Sequence, residues 1–269
     1  MIRYTSLASS STYGNAYLIE GPAKTRLLVD CGPRQRRLES DLAALGVEPG
    51  SITAVLLTHE HGDHTYCLGL RRSFLARHQI AVYAHPAAWA SCWALQNYLR
   101  CRGLERPPGE LHLEPGQELS LGELTVRAFA TPHDSVSPLG FSFTDGASRL
   151  GLATDLGHVT AEVASNLAGS THLVLESNHD RHLELTSGRP PHLIKRVLGD
   201  HGHLSNEQAA RALAEVVGPD TRTILLAHLS LDCNHPELAV ETVGTRLGVA
   251  GWRGLVAAAP AAGPSGWIG

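Results

Sequence analysis

Apolar and polar residues alternate in two rhythms along the chain, with turn residues where the rhythm changes. Residues 15–20 (NAYLIE) and 25–30 (TRLLVD) are short apolar runs on either side of Gly21 and Pro22, which predicts a hairpin. The run ITAVLLT at 52–58 is continuous, of strand length and rich in branched side chains, as a strand buried on both faces requires. Further strands are predicted over 80–84, 123–130, 140–144, 150–154, 173–177 and 223–227. Helical spacing is found over 37–45, closed by Gly46, over 67–77, and over 86–99 behind Pro86. It returns over 159–167, 193–198 and 236–247, and over 205–217, where Ser205-Asn206-Glu207-Gln208 forms a capping box. Strands arrive first in hairpins and then mixed with helices. The prediction is one mixed α/β (α+β) domain over 1–250, two sheets face to face with helices outside. Residues 251–269, rich in Ala, Pro and Gly, form a tail that either packs through Trp252 and Trp267 or hangs loose.

The composition supports a globular chain: 269 residues, 43% hydrophobic and 18% charged, can bury one sizeable core and do not describe a disordered or fibrous protein. The net charge of −4 excludes a uniformly basic nucleic-acid coat but leaves room for a local basic groove. Five scattered cysteines without a CxxC pair speak against a disulfide framework and for a reducing cytosol. With no apolar run of membrane-spanning length and no signal-like start, the expectation is a cytoplasmic protein without a membrane partner. Its oligomeric state is not legible.

One count changes the picture, the 16 histidines. Several fall in Thr58-His59-Glu60-His61-Gly62-Asp63-His64, directly after the buried 52–58 strand. Residues packed this densely cannot share one helix face, but a tight loop on a rigid strand can fan His59, His61, Asp63 and His64 around a small volume. Imidazole with carboxylate suits zinc, manganese or iron. More metal-capable side chains follow predicted strands: His133 in FATPHD, Asp155 in LGLATD and His228 in ILLAH. Asp30, at the end of LLVD, is better suited to hydrogen-bond the histidine loop than to bind metal.

This ordered set resembles the metallo-β-lactamase superfamily of binuclear metallohydrolases over about residues 1–247. The resemblance implies the four-layer αββα sandwich. It also implies two divalent metal ions, zinc or manganese: one on His59, His61 and His133, the other on Asp63, His64 and His228, with Asp155 bridging. Three further segments, SLASSSTYGN at 6–15, Glu176-Ser177-Asn178-His179-Asp180 and Gly202-His203-Leu204-Ser205-Asn206, are similar to the YycJ/WalJ group. That group implies a 5′-to-3′ exonuclease on duplex DNA with a 5′ end, linked to DNA repair. Glu176 and His203 also resemble the glutamate–histidine pair of the tRNA 3′-end processing nucleases, where the pair protonates the leaving oxygen. By that resemblance Glu176 and His203 are catalytic; Asp63, as both metal ligand and hydrogen-bond acceptor, is expected to join them by orienting the nucleophile. Ser9, Ser10, Asn178 and Arg181 stand as substrate-binding candidates. Competing readings are a ribonuclease or small-phosphodiester hydrolase of the same fold, a lactamase or thioesterase, and a non-catalytic metal-stabilised binding module.

Overall fold

The computed structural model describes residues 1–71 and 73–269. The first sheet runs in chain order: β1 (Arg3–Ser10), β2 (Gly14–Glu20), β3 (Arg26–Val29), β4 (Ala54–Leu56) and β5 (Ala81–Tyr83). Its first three strands pair antiparallel and β3, β4 and β5 pair parallel. The second sheet is seven-stranded and comprises β6 (Glu118–Leu121), β7 (Leu124–Ala130), β8 (Leu139–Thr144), β9 (Arg149–Ala153), β10 (His172–Glu176), β11 (Thr223–Ala227) and β12 (Leu255–Ala258). The strands from β6 to β9 pair antiparallel in chain order, and β9, β10, β11 and β12 pair parallel.

Side chains on a strand point alternately to its two faces, so each strand serves two layers. Tyr17 and Ile19 of β2 and Leu27 and Val29 of β3 face the other sheet, where they meet Val126, Phe141, Phe143, Leu152, Val174 and Leu225. Their neighbours Ala16, Leu18 and Leu28 look outward to the helices that follow the first-sheet strands. These helices are α1 (Gln35–Ala44), α2 (Gly62–Thr65), α3 (Phe74–Arg77), α4 (Pro86–Ser91) and α5 (Trp93–Cys101). On the far side come α6 (Ala161–Leu167), α7 (Arg181–Thr186), α8 (Pro191–Val197), α9 (Asn206–Val216) and α10 (Pro236–Val249). The third buried cluster lies under α6, α9 and α10, through Val163, Leu213 and Val243. The result is the αββα sandwich.

Residues beyond 250 serve both sheets. Trp252 donates through Nε1 to the Thr221 carbonyl at 3.0 Å, and β12 extends the second sheet. The chain then crosses to the first sheet and runs along the outer edge of β1. Gly263 N–H donates to Leu7 O at 2.9 Å, and Tyr4 and Ile268 exchange two bonds of 2.8 Å.

β6, α7 and β12 fall where no element is predicted, and three further stretches depart from the predicted pattern. The segment 6–15 contains most of β1, a strand whose Thr5, Ser6, Ser9 and Ser10 are buried with their hydroxyls hydrogen-bonded, except Ser6, so the apolar alternation that marks strands is missing. Within 67–77 only α3 is helical, started by Ser73, whose side chain accepts from Ala76 N–H; residue 72 of that stretch lies outside the described residues. The 86–99 helix is two helices, because Cys92 turns extended (φ −81°, ψ 115°) between α4 and α5.

Candidate metal centre

Strand ends of both sheets deliver the polar side chains to one edge of the sandwich. Asp30 follows β3, His59 follows β4, His133 follows β7, Asp155 follows β9, Glu176 ends β10 and His228 follows β11. Asp30, Asp155 and His228 have φ of 62°, 57° and 54°, in the left-handed region that costs a non-glycine residue about 1–3 kcal/mol. The packed strands behind them hold these turns in place.

Ligand atoms of His59, His61 and His133 lie within 4.8 Å of one another, as do those of Asp63, His64 and His228. Asp155 stands between the two groups: its Oδ2 is 3.4 Å from His64 Nε2 and its Oδ1 is 4.0 Å from His133 Nε2. All seven predicted ligands therefore converge. Asp155 Oδ2 and His228 Nε2 are buried without a hydrogen-bond partner, a costly condition unless a cation meets them. The protonation chemistry agrees. Burial, and then the neighbouring His64, His133, His61 and His228, hold His59 well below the usual histidine range, in the neutral ligand form. Burial would lower His64, but the carboxylates of Asp155, Asp30 and Asp63 outweigh it and raise the group to about 9. Burial would raise Asp63, yet His64 and His228 keep it below the usual carboxylate range. A buried concentration of negative charge that draws positive charge to itself fits divalent cations.

Outer partners fix the rings. Asp30 Oδ2 accepts from His64 Nδ1 at 2.7 Å while its Oδ1 accepts from Thr58 N–H at 2.8 Å, which turns His64 Nε2 to the centre. His133 Nδ1 donates to Gly202 O at 3.1 Å. Glu176, fully buried, accepts at Oε1 from both His203 Nδ1 (2.8 Å) and His228 Nδ1 (2.9 Å). Its Oε2 accepts from the backbone N–H groups of Leu156 (3.0 Å) and Leu204 (3.1 Å). Burial would raise Glu176, but His203 and His228 hold it below the usual range, as a carboxylate.

The substrate-binding candidates are placed differently. Ser9 is buried: its hydroxyl shares a 2.7 Å hydrogen bond with Tyr17 Oη and accepts from His228 N–H at 2.7 Å. Ser10 Oγ donates to Ala261 O and accepts from Tyr13 N–H. Asn178 donates through Nδ2 to His228 O at 2.7 Å. The hydroxyls of Ser9 and Ser10 and the amide of Asn178 are thus committed to internal bonds, whereas Arg181 is exposed at the start of α7. Two features are absent from the sequence reading. Asn15 Nδ2 donates to Asp63 Oδ2 at 3.3 Å, and Arg196 pairs with Asp134, the neighbour of His133, at 3.0 Å. Asn15 closes the 6–15 segment already singled out, so position alone was a signal; Arg196 carried none. Beside the cluster lies a cavity of about 900 Å³, lined among others by Asp63, Tyr13, Arg34 and Tyr66.

Residues 25–229 match the β-lactamase superfamily domain family. The chain belongs to this superfamily of metal-dependent hydrolases, and its clustered histidines and aspartates bind divalent metal. Within it the chain falls in the YycJ/WalJ group. It is 35% identical to the exodeoxyribonuclease YycJ of Bacillus anthracis over 240 residues, 88% of this chain and 86% of that one. It is 32% identical to the exodeoxyribonuclease WalJ of Streptococcus pneumoniae over 246 residues, 91% and 88% of the two chains. Among solved structures, zinc-bound PqqB from Methylobacterium extorquens shares the fold, with a TM-score of 0.70, 17% identity and 99% of each chain covered.

Proposed function

We propose that the protein is a metal-dependent nuclease that removes nucleotides from the 5′ end of duplex DNA in the cytoplasm, in the service of DNA repair. The observation that carries this reading is the Glu176–His203 pair, joined at 2.8 Å beside the ligand cluster. The two exodeoxyribonuclease relatives support the choice of DNA. His59, His61 and His133 would hold one ion, Asp63, His64 and His228 the other, and Asp155 both; zinc and manganese each suit these nitrogen and oxygen ligands. Such ions supply Lewis acidity toward the phosphate and an activated water.

The residues of the chain do the rest. Glu176, held by two backbone N–H groups, accepts from His203 Nδ1, so that the proton handed to the departing 3′-oxygen is the one that the imidazolium carries on Nε2. Asp63, whose side chain is 24% exposed while His64 and His228 are sealed in, faces the incoming nucleophile and orients it. Ser9 and Asn178 act on the site through His228, whose N–H and C=O they bind, and not by touching substrate.

The test is digestion of end-labelled duplex DNA with manganese or zinc, with His61→Ala as control. Stepwise shortening from a 5′-phosphorylated end, lost in the control, is the expected result. Metal-loaded protein that cuts matched RNA strands and leaves DNA intact would overturn the DNA assignment. Failure to cut either polymer would overturn the nuclease reading.

A further inference from the structure

The cavity beside Asp63 gathers residues from four distant parts of the chain: the β1–β2 turn, the start of α1, α2 with the residue after it, and the C-terminal segment. Two glycines of its lining let stretches of backbone pack against one another. A Cβ on Gly32 would fall 1.6 Å from the Asp63 carbonyl oxygen, and one on Gly14 would fall 2.5 Å from Pro33 N, so no side chain fits at either place. Gly14 also has φ +91°, which favours glycine. Its lining includes two tyrosines that are half exposed, Tyr13 at 53% and Tyr66 at 50%. Arg37 on the wall is bound by Asp41 at 2.9 Å, whereas exposed Arg34 forms no ion pair among the described residues. Arg36 of α1 and Arg71, which follows α2, add positive charge in a second recess of about 620 Å³.

Two exposed aromatic rings and an unpaired guanidinium around one concave opening have a matching ligand chemistry. A base offers a flat face that stacks on tyrosine regardless of its sequence, and a phosphate offers oxygens to the arginine fork. The volume lies within the range of sites that enclose a small molecule. We propose that this cavity is the subsite for a nucleotide adjoining the cleaved phosphodiester, with Tyr13 and Tyr66 stacking on bases and Arg34 binding a phosphate of the same strand. This rests on the nuclease reading above and deepens it. Asp63 belongs to both the cavity and the ligand cluster, so a strand seated on the tyrosines runs directly to the reacting centre. Arg36 and Arg71 extend the path for the phosphates that follow. The protein's net charge of −4 makes such a local positive track more telling.

The experiment uses the full-length, metal-loaded protein and a duplex with nuclease-resistant phosphorothioate linkages. A 2-aminopurine is walked through the first three positions from the 5′ end. Stacking on a tyrosine quenches this base, so the wild type should darken it at one position. Tyr13→Ala and Tyr66→Ala should restore the fluorescence and raise KM for cleavable DNA about tenfold each, as loss of one stacking partner does. Arg34→Ala should weaken binding and flatten its salt dependence, with Arg34→Lys recovering part of both. Turnover of bis(p-nitrophenyl) phosphate, too small to need the subsite, should stay at the wild-type level in all four variants. Quenching and KM on DNA unchanged in both tyrosine variants, in a protein that still cuts DNA, would overturn the subsite and leave the nuclease reading standing. A wild type that neither binds nor cuts the duplex, yet hydrolyses the small diester, would overturn both.

Discussion

Glu176 is the residue on which the two halves of the site depend. One carboxylate oxygen serves His203 and His228 together, so a change at 176 reaches both the proton donor and a metal-ligand candidate. His203→Ala should keep the metal content measured by atomic absorption and lose about 10²–10⁴-fold in kcat on DNA, the usual contribution of a positioned acid. Near-normal turnover in that variant would remove His203 from the role. Glu176→Gln should do more, lowering kcat and weakening metal retention at once, because His228 loses its partner as well. Asp30→Asn provides the contrast. It leaves the proton donor alone and loosens the His64 ring held at 2.7 Å, so chelator competition should show metal affinity reduced by about 10–100-fold. At this scale the sequence was most informative. His59 to His64 are close in number, and each of His133, Asp155 and His228 is one of the first polar residues after a strand, so the residues that converge could be read from spacing. Arg34, Tyr13 and Tyr66 could not, since nothing local says which distant segments will share a cavity.

Among the elements, β2 and β3 bear the most weight, being covered by the second sheet on one side and by helices on the other. Phe141 of β8, opposite them, is fully buried in the layer between the sheets, and Phe141→Ala should cost about 3–5 kcal/mol in urea unfolding. Glu20 ends β2 as an ionic clasp. Burial would raise its pKa, but Lys24, Arg26 and Arg3 lower it below the ordinary 4.5. A carboxylate whose folded pKa is depressed stabilises the protein above its unfolded pKa, and that stability drains away as pH falls through the folded value. Stability should therefore drop on acidification below about pH 4.5, and Glu20→Gln should flatten that part of the profile, measured as urea midpoints against pH. Most strands were legible from apolar runs. The exception with the largest effect, β1, hides its strand character because buried hydroxyls take the place of apolar side chains. Where the two helical runs break, at Ser73 and Cys92, periodicity continues in the sequence although the backbone does not.

For the molecule as a whole, the segment after β12 decides whether the first sheet has an open edge. The pairings of residues 261–268 with β1 occupy backbone groups that an unprotected edge strand would offer to other chains. A chain ending at Ala258 should lose this cover, the Trp267 ring that lies 4.0 Å from the Arg3 guanidinium, and the Ala261–Ala262 wall of the cavity. Its Tm should fall by about 5–10 °C, the equivalent of a few buried apolar side chains in a protein of this size, and light scattering should show association. Duplex binding should weaken together with stability, because the same residues close the sheet and bound the cavity.

That segment also sets a timetable. A ribosome delivers β1 well before its covering strip at 261–268, so until that strip emerges the growing chain carries a finished hairpin with an unguarded flank. The metal cluster is assembled from residues up to His228, but the wall at Ala261 and Ala262 arrives only afterwards. An unfinished chain could gather its ions before it has the enclosure in which to grip a strand. By the subsite proposed above, strand binding is complete only once residues 261 and 262 have folded back onto β1.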